Sequence, residues 1–423
     1  MDQLLYKFKL IVSDRTLVIR LLFVLLILVI FRLGNAITIP GLDTAALAQF
    51  FANSQFFGLL NIFSGGGLSN LSIMMLGVGP YITATIIMQL MTMVFPTLKE
   101  MYQEEGAAGR RKFAQYARMC TVPLAMIQGF SLLTLLKNQG LLGELSVTDQ
   151  FVNVMIVTAG SMLLMWLGEL ITEYGIGNGV SLIIFAGIVA RVPSSIYQMM
   201  ITFDPSQIPT YVGFLVVALV VIAAVVVVTE AERPIPVTYA KRVRGMRLYG
   251  GGSTYLPLRL NQAGVMPIIF ALSILLFPQM IATFLGNMNN SIAQTVGNVL
   301  GILNTNQWVY GIFYFILVFL FTYFYTAVTF DPDMIANNLQ KSGAFIPGVR
   351  PGEPTSHHLG RIISRLTFVG AVFLGLVAIL PLIVQGVTGI QSLAIGGTAL
   401  LIVVSVALEF VKQIEAQVSM REY

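Results

Sequence analysis

Side chains that could catalyse a reaction or bind a metal are sparse and scattered in this 423-residue sequence. The two histidines, His357 and His358, are neighbours in a loop, and the single cysteine, Cys120, lies among apolar residues. Metal sites, activated nucleophiles and phosphate-binding loops need clusters of such groups, and the sequence shows none. We therefore predict no catalytic residue, metal site or cofactor, and we interpret Cys120 as a packed thiol.

The apolar segments also lack the ionisable groups that coupled transport requires. No charged residue occurs in residues 71–98, 260–330 or 366–408. Ion-coupled carriers and pumps usually keep acidic, basic or histidine side chains near the membrane midplane. This pattern argues against a secondary transporter for a small solute. A membrane enzyme would need a reactive cluster, and a structural scaffold would conduct nothing.

The polar side chains within these segments are hydroxyls and amides, chiefly Thr83, Gln89 and Asn261. In membranes, small residues let helices approach closely and polar side chains bond across helices. The residues alone therefore favour a helix-packing role for all three.

Long apolar helices must position these residues. The chain is 56% hydrophobic and only 10% charged, against about a quarter charged residues in ordinary globular domains. A helix needs about 20 mostly apolar residues to cross a bilayer, and continuous apolar runs are not typical of transmembrane barrels. We predict an all-α polytopic membrane protein with a surface helix in residues 1–20. We place ten spans near residues 18–37, 71–95, 114–136, 151–171, 179–199, 210–229, 263–285, 307–329, 365–384 and 393–411.

The distribution of basic residues predicts the orientation of the chain. With the N-terminus inside, only Arg32, Lys137 and Arg191 of the 24 lysines and arginines lie toward the outside. Both termini are then cytoplasmic. Ten spans divide into halves of five, residues 1–205 and 206–423. Because five is odd, two similar halves would have inverted topology, as in many transport proteins.

Two large cytoplasmic loops are predicted, near residues 230–262 and 330–364. The first is basic, and "RPIPVTYAKR" alternates like a strand, while "YGGGSTYLPL" indicates a turn with extended flanks. This loop could attract anionic lipid, or it could dock a large cytosolic protein or RNA. The second loop is only weakly charged and contains many Gly and Pro residues, so we expect its shape to matter more than its charge.

Five motifs resemble the SecY family, the channel subunits of the general protein translocase. They are "FSGGGLSNLSIMMLGVGPYI", "MWLGELITEYGIGNGVSLIIFAGI", "YLPLRLNQAGVMPIIFA", "KSGAFIPGVRPG" and "GGTALLIV", in this order along the chain. The resemblance covers nearly the whole sequence. It implies two five-span halves around a central hourglass pore with a lateral gate, and a passive channel for unfolded secretory polypeptides.

The resemblance also implies roles for particular residues. The pore ring would be formed by Val78, Ile82, Ile184, Val265, Ile269 and Ile402. The plug, a short half-helix at about residues 57–70, would include Phe63, Ser64, Gly65, Gly66, Gly67 and Leu68. The polar cluster of the lateral gate would be formed by Thr83, Gln89 and Asn261. This role replaces the helix-packing role that the residues alone favour. The glycines would make the plug pliable and weakly held, so that it caps the pore at rest and swings away.

The resemblance further implies partners and a location. The partners would be the small membrane subunits SecE and SecG, the motor ATPase SecA, the ribosome, signal sequences, preproteins and the lipid bilayer. The motor or the ribosome would dock on the cytoplasmic loops through Arg242, Arg244, Arg247 and Arg350. The expected location is the bacterial cytoplasmic membrane.

Overall fold

A computed structural model gives the fold of the chain. It describes residues 14–39, 61, 64–68, 70–138, 146–201, 208–239, 242–244, 247–249, 252–286, 307–388 and 396–419. The predicted surface helix lies mostly outside these residues. Its last part, from Arg15 onward, belongs to the first long helix instead, which Asp14 caps by accepting from the backbone N–H of Thr16 at 3.0 Å.

The described residues form thirteen helices, which we number in chain order. They are α1 (Arg15–Gly34), α2 (Gly79–Val94), α3 (Pro96–Gln103), α4 (Gly106–Asn138), α5 (Val147–Tyr174), α6 (Gly179–Val189), α7 (Val192–Ile201), α8 (Ile208–Glu230), α9 (Met266–Gly286), α10 (Gln307–Thr329), α11 (Pro332–Lys341), α12 (Glu353–Thr388) and α13 (Gly396–Ser419).

Several of these helices are long and apolar enough to cross a membrane. Among the described residues six qualify by length and composition, and a seventh candidate, α2 with α3, bends by 112° at its break. Two further apolar helices are shorter, Gly179–Ser194 and Met266–Leu275. The chain is therefore a multi-pass helical membrane protein, and the count of ten spans remains a prediction.

The second span begins later than the sequence predicts. Residues 71–78 form turns, and the helix starts at Gly79 with Pro80 in its first turn. Ser72 forms a β-bridge with Thr38, and Gly77 has a positive φ of 60°. Pairing with the chain that follows α1 thus holds this apolar stretch in a non-helical conformation, which its composition alone does not reveal.

The two large loops fold together as one unit, which we call the cytoplasmic unit after its predicted side of the membrane. Strands β1 (Glu232–Tyr239), β4 (Ser253–Arg259) and β5 (Ala344–Phe345) form an antiparallel sheet in the order β4-β1-β5. The short strands β2 (Arg242–Arg244) and β3 (Arg247–Tyr249) pair as a separate hairpin. The strands predicted around the glycine run of the first loop are thereby confirmed.

An apolar cluster joins this sheet to the second loop and to the start of α12. Its buried members are Ile235, Val237, Leu258, Ala344, Ile346, Leu359, Ile362 and Ile363. Because β5 and the start of α12 belong to the second loop, the two loops share one apolar core, and the fold of each depends on the other.

The membrane helices form two groups that meet along two lines. In the first group α2 packs on α4, α4 packs on α5, and α5 packs on both α1 and α6. In the second group α9 packs on α10, α10 packs on α12, and α8 packs on α13. Between the groups α9 contacts α2 and α4 on one side, while α13 contacts α6 on the other. The seam between the groups is therefore bounded by five helices, and all of them except α4 carry a predicted ring residue.

We expect Leu258→Ala to loosen the cytoplasmic unit. Leu258 is fully buried in the cluster, and truncating a buried leucine costs about 2–5 kcal/mol of stability. Limited proteolysis should cut residues 230–262 at least tenfold faster in the variant. Tyr255→Ala on the same strand is the control, because Tyr255 is 66% exposed. Equal cleavage rates in both variants would contradict the joint core.

Candidate functional site

The six residues expected to form the ring all lie in the buried core shared by the two helix groups. Val78 and Ile82 lie at the start of α2, Ile184 on α6, Val265 and Ile269 at the start of α9, and Ile402 on α13. All six belong to one large buried apolar cluster, and none is more than 6% exposed. Their arrangement as a ring stays a prediction.

This cluster suits a seal better than a binding site. The six predicted ring residues in it are branched aliphatics that offer neither charge nor hydrogen bonds. A narrow apolar constriction in a membrane protein excludes water and ions by dewetting. The arrangement can thus close a path between the two helix groups without holding any ligand there.

An open cavity of about 430 Å³ is lined by three of these residues, Ile82, Ile184 and Ile269. Its lining also includes Arg118 on α4 and Glu169 on α5, whose Nε and Oε1 atoms form an ion pair at 2.5 Å. The sequence alone does not indicate this pair, because the two residues lie on different helices. We call this cavity the vestibule, and its lining combines a charged pair with three of the predicted ring residues.

The glycine triplet is packed more closely than the sequence suggests. Residues 64–68 are buried turns, and Gly65 and Gly66 adopt positive φ values of 62° and 87°. A Cβ atom on Gly187 of α6 would lie only 2.3 Å from the Cα atom of Gly65. The turn is thus docked directly on a helix backbone, which contrasts with the expectation of a weakly held segment.

Leu68 anchors the end of this turn. Its side chain is fully buried, in an apolar cluster with residues of α4 and α5 such as Leu133 and Val157. Phe63 and half of residues 57–70 lie outside the described residues, so the expected half-helix is not described. In the described part of the predicted plug, Asn61 is helical, and residues 64–68 and 70 are turns.

The three polar residues expected at the gate do not bond to one another. Thr83 accepts a hydrogen bond from Nε2 of Gln128 on α4 at 3.5 Å, and Asn261 donates to the carbonyl of Gly264 at 3.1 Å. Gln89 lines the vestibule instead, and its buried Oε1 atom has no partner among the described residues. Gln128, an isolated buried amide in an apolar helix, is the residue that the sequence analysis missed.

The four arginines expected to dock partners lie on the cytoplasmic unit. Arg242 and Arg244 are on β2 and Arg247 is on β3, where Arg244 pairs with Arg247 across the hairpin. Arg350 is exposed in the turn before α12, and its carbonyl accepts from Oγ1 of Thr355 at 2.8 Å. The hairpin and the turn thus present basic residues from both loops.

The fold and the uncharged seam define a class of protein, the membrane channels that conduct polypeptides. A solved structure described as "The structure of a protein conducting channel" matches with a TM-score of 0.63 at 21% identity, covering 93% of this chain and 91% of that one. Sec61 in the canine ribosome-channel complex from the endoplasmic reticulum matches with a TM-score of 0.61 at 19% identity and the same coverage.

Sequence comparisons identify the family. Residues 72–411 match the SecY family model. The protein translocase subunit SecY of Streptomyces galbus is 42% identical over 422 residues, covering 96% of this chain and 95% of that protein. The same subunit from Mycobacterium tuberculosis is 42% identical over 426 residues with equal coverage. The chain belongs to the SecY family, and it is a channel subunit of a protein translocase, not an enzyme.

We expect Gly187→Ala to destabilise the protein. The added methyl group would overlap the backbone of Gly65, and overpacking costs about 1–3 kcal/mol. The midpoint of thermal unfolding in detergent should fall by several degrees. Gly213→Ala on α8 is the matched control, since no atom lies within 4 Å of its Cβ position and alanine favours a helix interior. A midpoint that drops equally in both variants would argue against close docking of the turn.

Proposed function

We propose that this chain forms a passive pore through which unfolded secretory polypeptides cross the bacterial cytoplasmic membrane and from which membrane segments leave sideways into lipid. The observation that carries the proposal is that all six predicted ring residues lie in one buried apolar core that spans the two helix groups. Membership of the SecY family supports it independently.

The neck of the pore is the ring of six aliphatic side chains. A pore that must pass almost any side chain cannot offer fixed charges or strong hydrogen-bonding partners at its narrowest point. Branched aliphatics exclude water at rest by dewetting, and their rotamers can adapt to a moving chain. In the proposed resting state the vestibule ends at this ring.

Residues 57–70 form the plug that caps the ring from the external side. The glycine turn is the described part of it, and its irregular backbone is acceptable at membrane depth only where protein or a water-filled cavity surrounds it. The packing of this turn against α1 and α6 supports a closed resting position.

The lateral gate lies where α9 contacts α2 and α4. The pair of Thr83 and Gln128 lies on the α2 and α4 side of this gate, and Asn261 begins the opposite side. A hydrogen bond between membrane helices contributes about 0.6 kcal/mol. Each of these bonds lies within one side of the gate, so a signal sequence that buries an apolar helix between the gate and lipid has to separate only the contacts of α9 with α2 and α4.

The energy for translocation comes from a motor ATPase of the SecA type or from a translating ribosome, docked on the joined cytoplasmic loops. A structural neighbour, Sec61, occurs in a ribosome-channel complex, and the basic hairpin fits an RNA or acidic protein surface. SecE and SecG are the proposed small membrane subunits. The proposed topology has ten spans in two inverted halves, with both termini in the cytoplasm.

Crosslinking tests the path of the polypeptide. A stalled secretory chain should form disulfides with a cysteine placed at Ile82 or Ile269, because both line the proposed neck. Ile312→Cys on α10 is the matched control, since this side chain is 63% exposed on the outer surface. If the stalled chain reacts no faster at positions 82 and 269 than at 312, the polypeptide does not pass through this seam.

Charge reversal tests the docking surface. Arg350→Glu should reduce motor-driven translocation at least tenfold while the protein remains folded, because a guanidinium that recognises an acidic partner becomes a repelling carboxylate. Arg361→Glu changes another exposed arginine of the same unit and should retain most activity. Near-normal transport by the Arg350 variant would remove this residue from the docking surface.

A further inference from the structure

Asn35 lies where three parts of the chain meet. It directly follows α1, its backbone N–H donates to the carbonyl of Phe31 at 3.1 Å, and the residue is only 2% exposed. A buried amide needs partners for its oxygen and its nitrogen, because each unpaired polar group costs free energy. Both ends of the Asn35 side chain have such partners, and they belong to different segments.

The oxygen end of the amide is tied to a fixed frame. After α1 the chain pairs with the segment before α2: Ile39 donates to the carbonyl of Leu71 at 2.9 Å, and Ile73 donates to the carbonyl of Ile37 at 3.0 Å. Between them Ser72, which is fully buried, donates through Oγ to Oδ1 of Asn35 at 3.4 Å. This ladder fixes the orientation of the amide.

The nitrogen end of the amide holds the glycine turn. Nδ2 of Asn35 donates to the carbonyl of Gly65 at 3.0 Å and to that of Ser64 at 3.5 Å. Nη1 of Arg32 reaches the same Gly65 carbonyl at 3.4 Å. A Cβ atom on Gly67 would lie 2.8 Å from Oδ1 of Asn35, so the absence of a side chain there permits the close approach.

We propose that Asn35 is the positioning residue of the plug, its amide nitrogen holding the glycine turn in the closed position while its oxygen is bonded to the frame. The proposal rests on the proposed function, in which residues 57–70 cap the pore. Asparagine suits this role because one planar group both accepts from the frame and donates to the turn. When the turn leaves, water can replace the lost bonds.

Cysteine labelling tests the hold on the turn directly. Cys120→Ser removes the single cysteine, and Ser64→Cys then places a thiol in the turn, where the native side chain is 1% exposed. In right-side-out membrane vesicles, a membrane-impermeant maleimide should label this thiol about tenfold faster when Asn35→Leu is added. Leucine has nearly the same shape as asparagine but cannot bond to the two carbonyls.

Thr121→Val in the same background is the matched control. Thr121 is fully buried, and its hydroxyl donates to the carbonyl of Ala117 within its own helix at 2.8 Å. This variant should leave the labelling rate unchanged. If Asn35→Leu does not yield a monodisperse protein, Ser72→Ala takes its place. That variant removes the bond at the frame end of the amide, together with the bond that Ser72 Oγ accepts from the backbone N–H of Met74 at 3.2 Å, and about threefold faster labelling is expected.

Ion conductance in planar bilayers separates this proposal from the proposed function. Deleting residues 57–70 should raise resting conductance, and Asn35→Leu should raise it part of the way. If the deletion raises conductance but Asn35→Leu changes neither conductance nor labelling, the role of Asn35 is overturned and the plug stands. If the deletion has no effect, the plug is overturned, and the labelling rate alone decides whether Asn35 holds the turn.

Discussion

The structure depends on one constraint, that irregular backbone within a membrane must find its hydrogen bonds inside the protein. Residues 64–68 and 70–78 are mostly turns between α1 and α2, and several of their polar groups have partners within the protein. Asn35 bonds the glycine turn, the short ladder with residues 37–39 pairs the next segment, and Oγ of Ser161 on α5 donates to the carbonyl of Gly77 at 3.0 Å. These bonds satisfy backbone groups that would otherwise be unpaired, and they allow a non-helical segment to lie next to the predicted ring.

The seam next to this segment is held by contacts that can be broken reversibly. The ring residues meet through apolar side chains alone, so separating the two helix groups leaves no buried charge without its partner. By contrast, the ion pair of Arg118 and Glu169 lies entirely within the first group, on the wall of the vestibule. The ion pair thus lies within one helix group, whereas the contacts at the seam between the two groups are apolar.

Local patterns in the sequence predicted much of this arrangement, and long-range pairings account for the rest. Continuous apolar runs indicate helices, alternation indicates the strand Glu232–Tyr239, and the family motifs bring the six ring residues together. The start of α2 at Gly79 was missed because residues 71–78 are as apolar as a membrane span. Their non-helical conformation depends on pairing with Thr38, which is distant in the sequence. The partner of Thr83 was missed for the same reason, since Gln128 lies on another helix.

The proposed function requires the closely packed turn to be released, and the glycines explain how this can happen. A contact between Gly65 and Gly187 buries little area, so it fixes position by steric fit and contributes little attraction. Leu68, only three residues later, is fully buried, and burying a leucine contributes about 1.5–3 kcal/mol. Release should therefore stop before Leu68. We place the pivot of the proposed plug at Gly65 and Gly66, whose positive φ values only glycine adopts without strain.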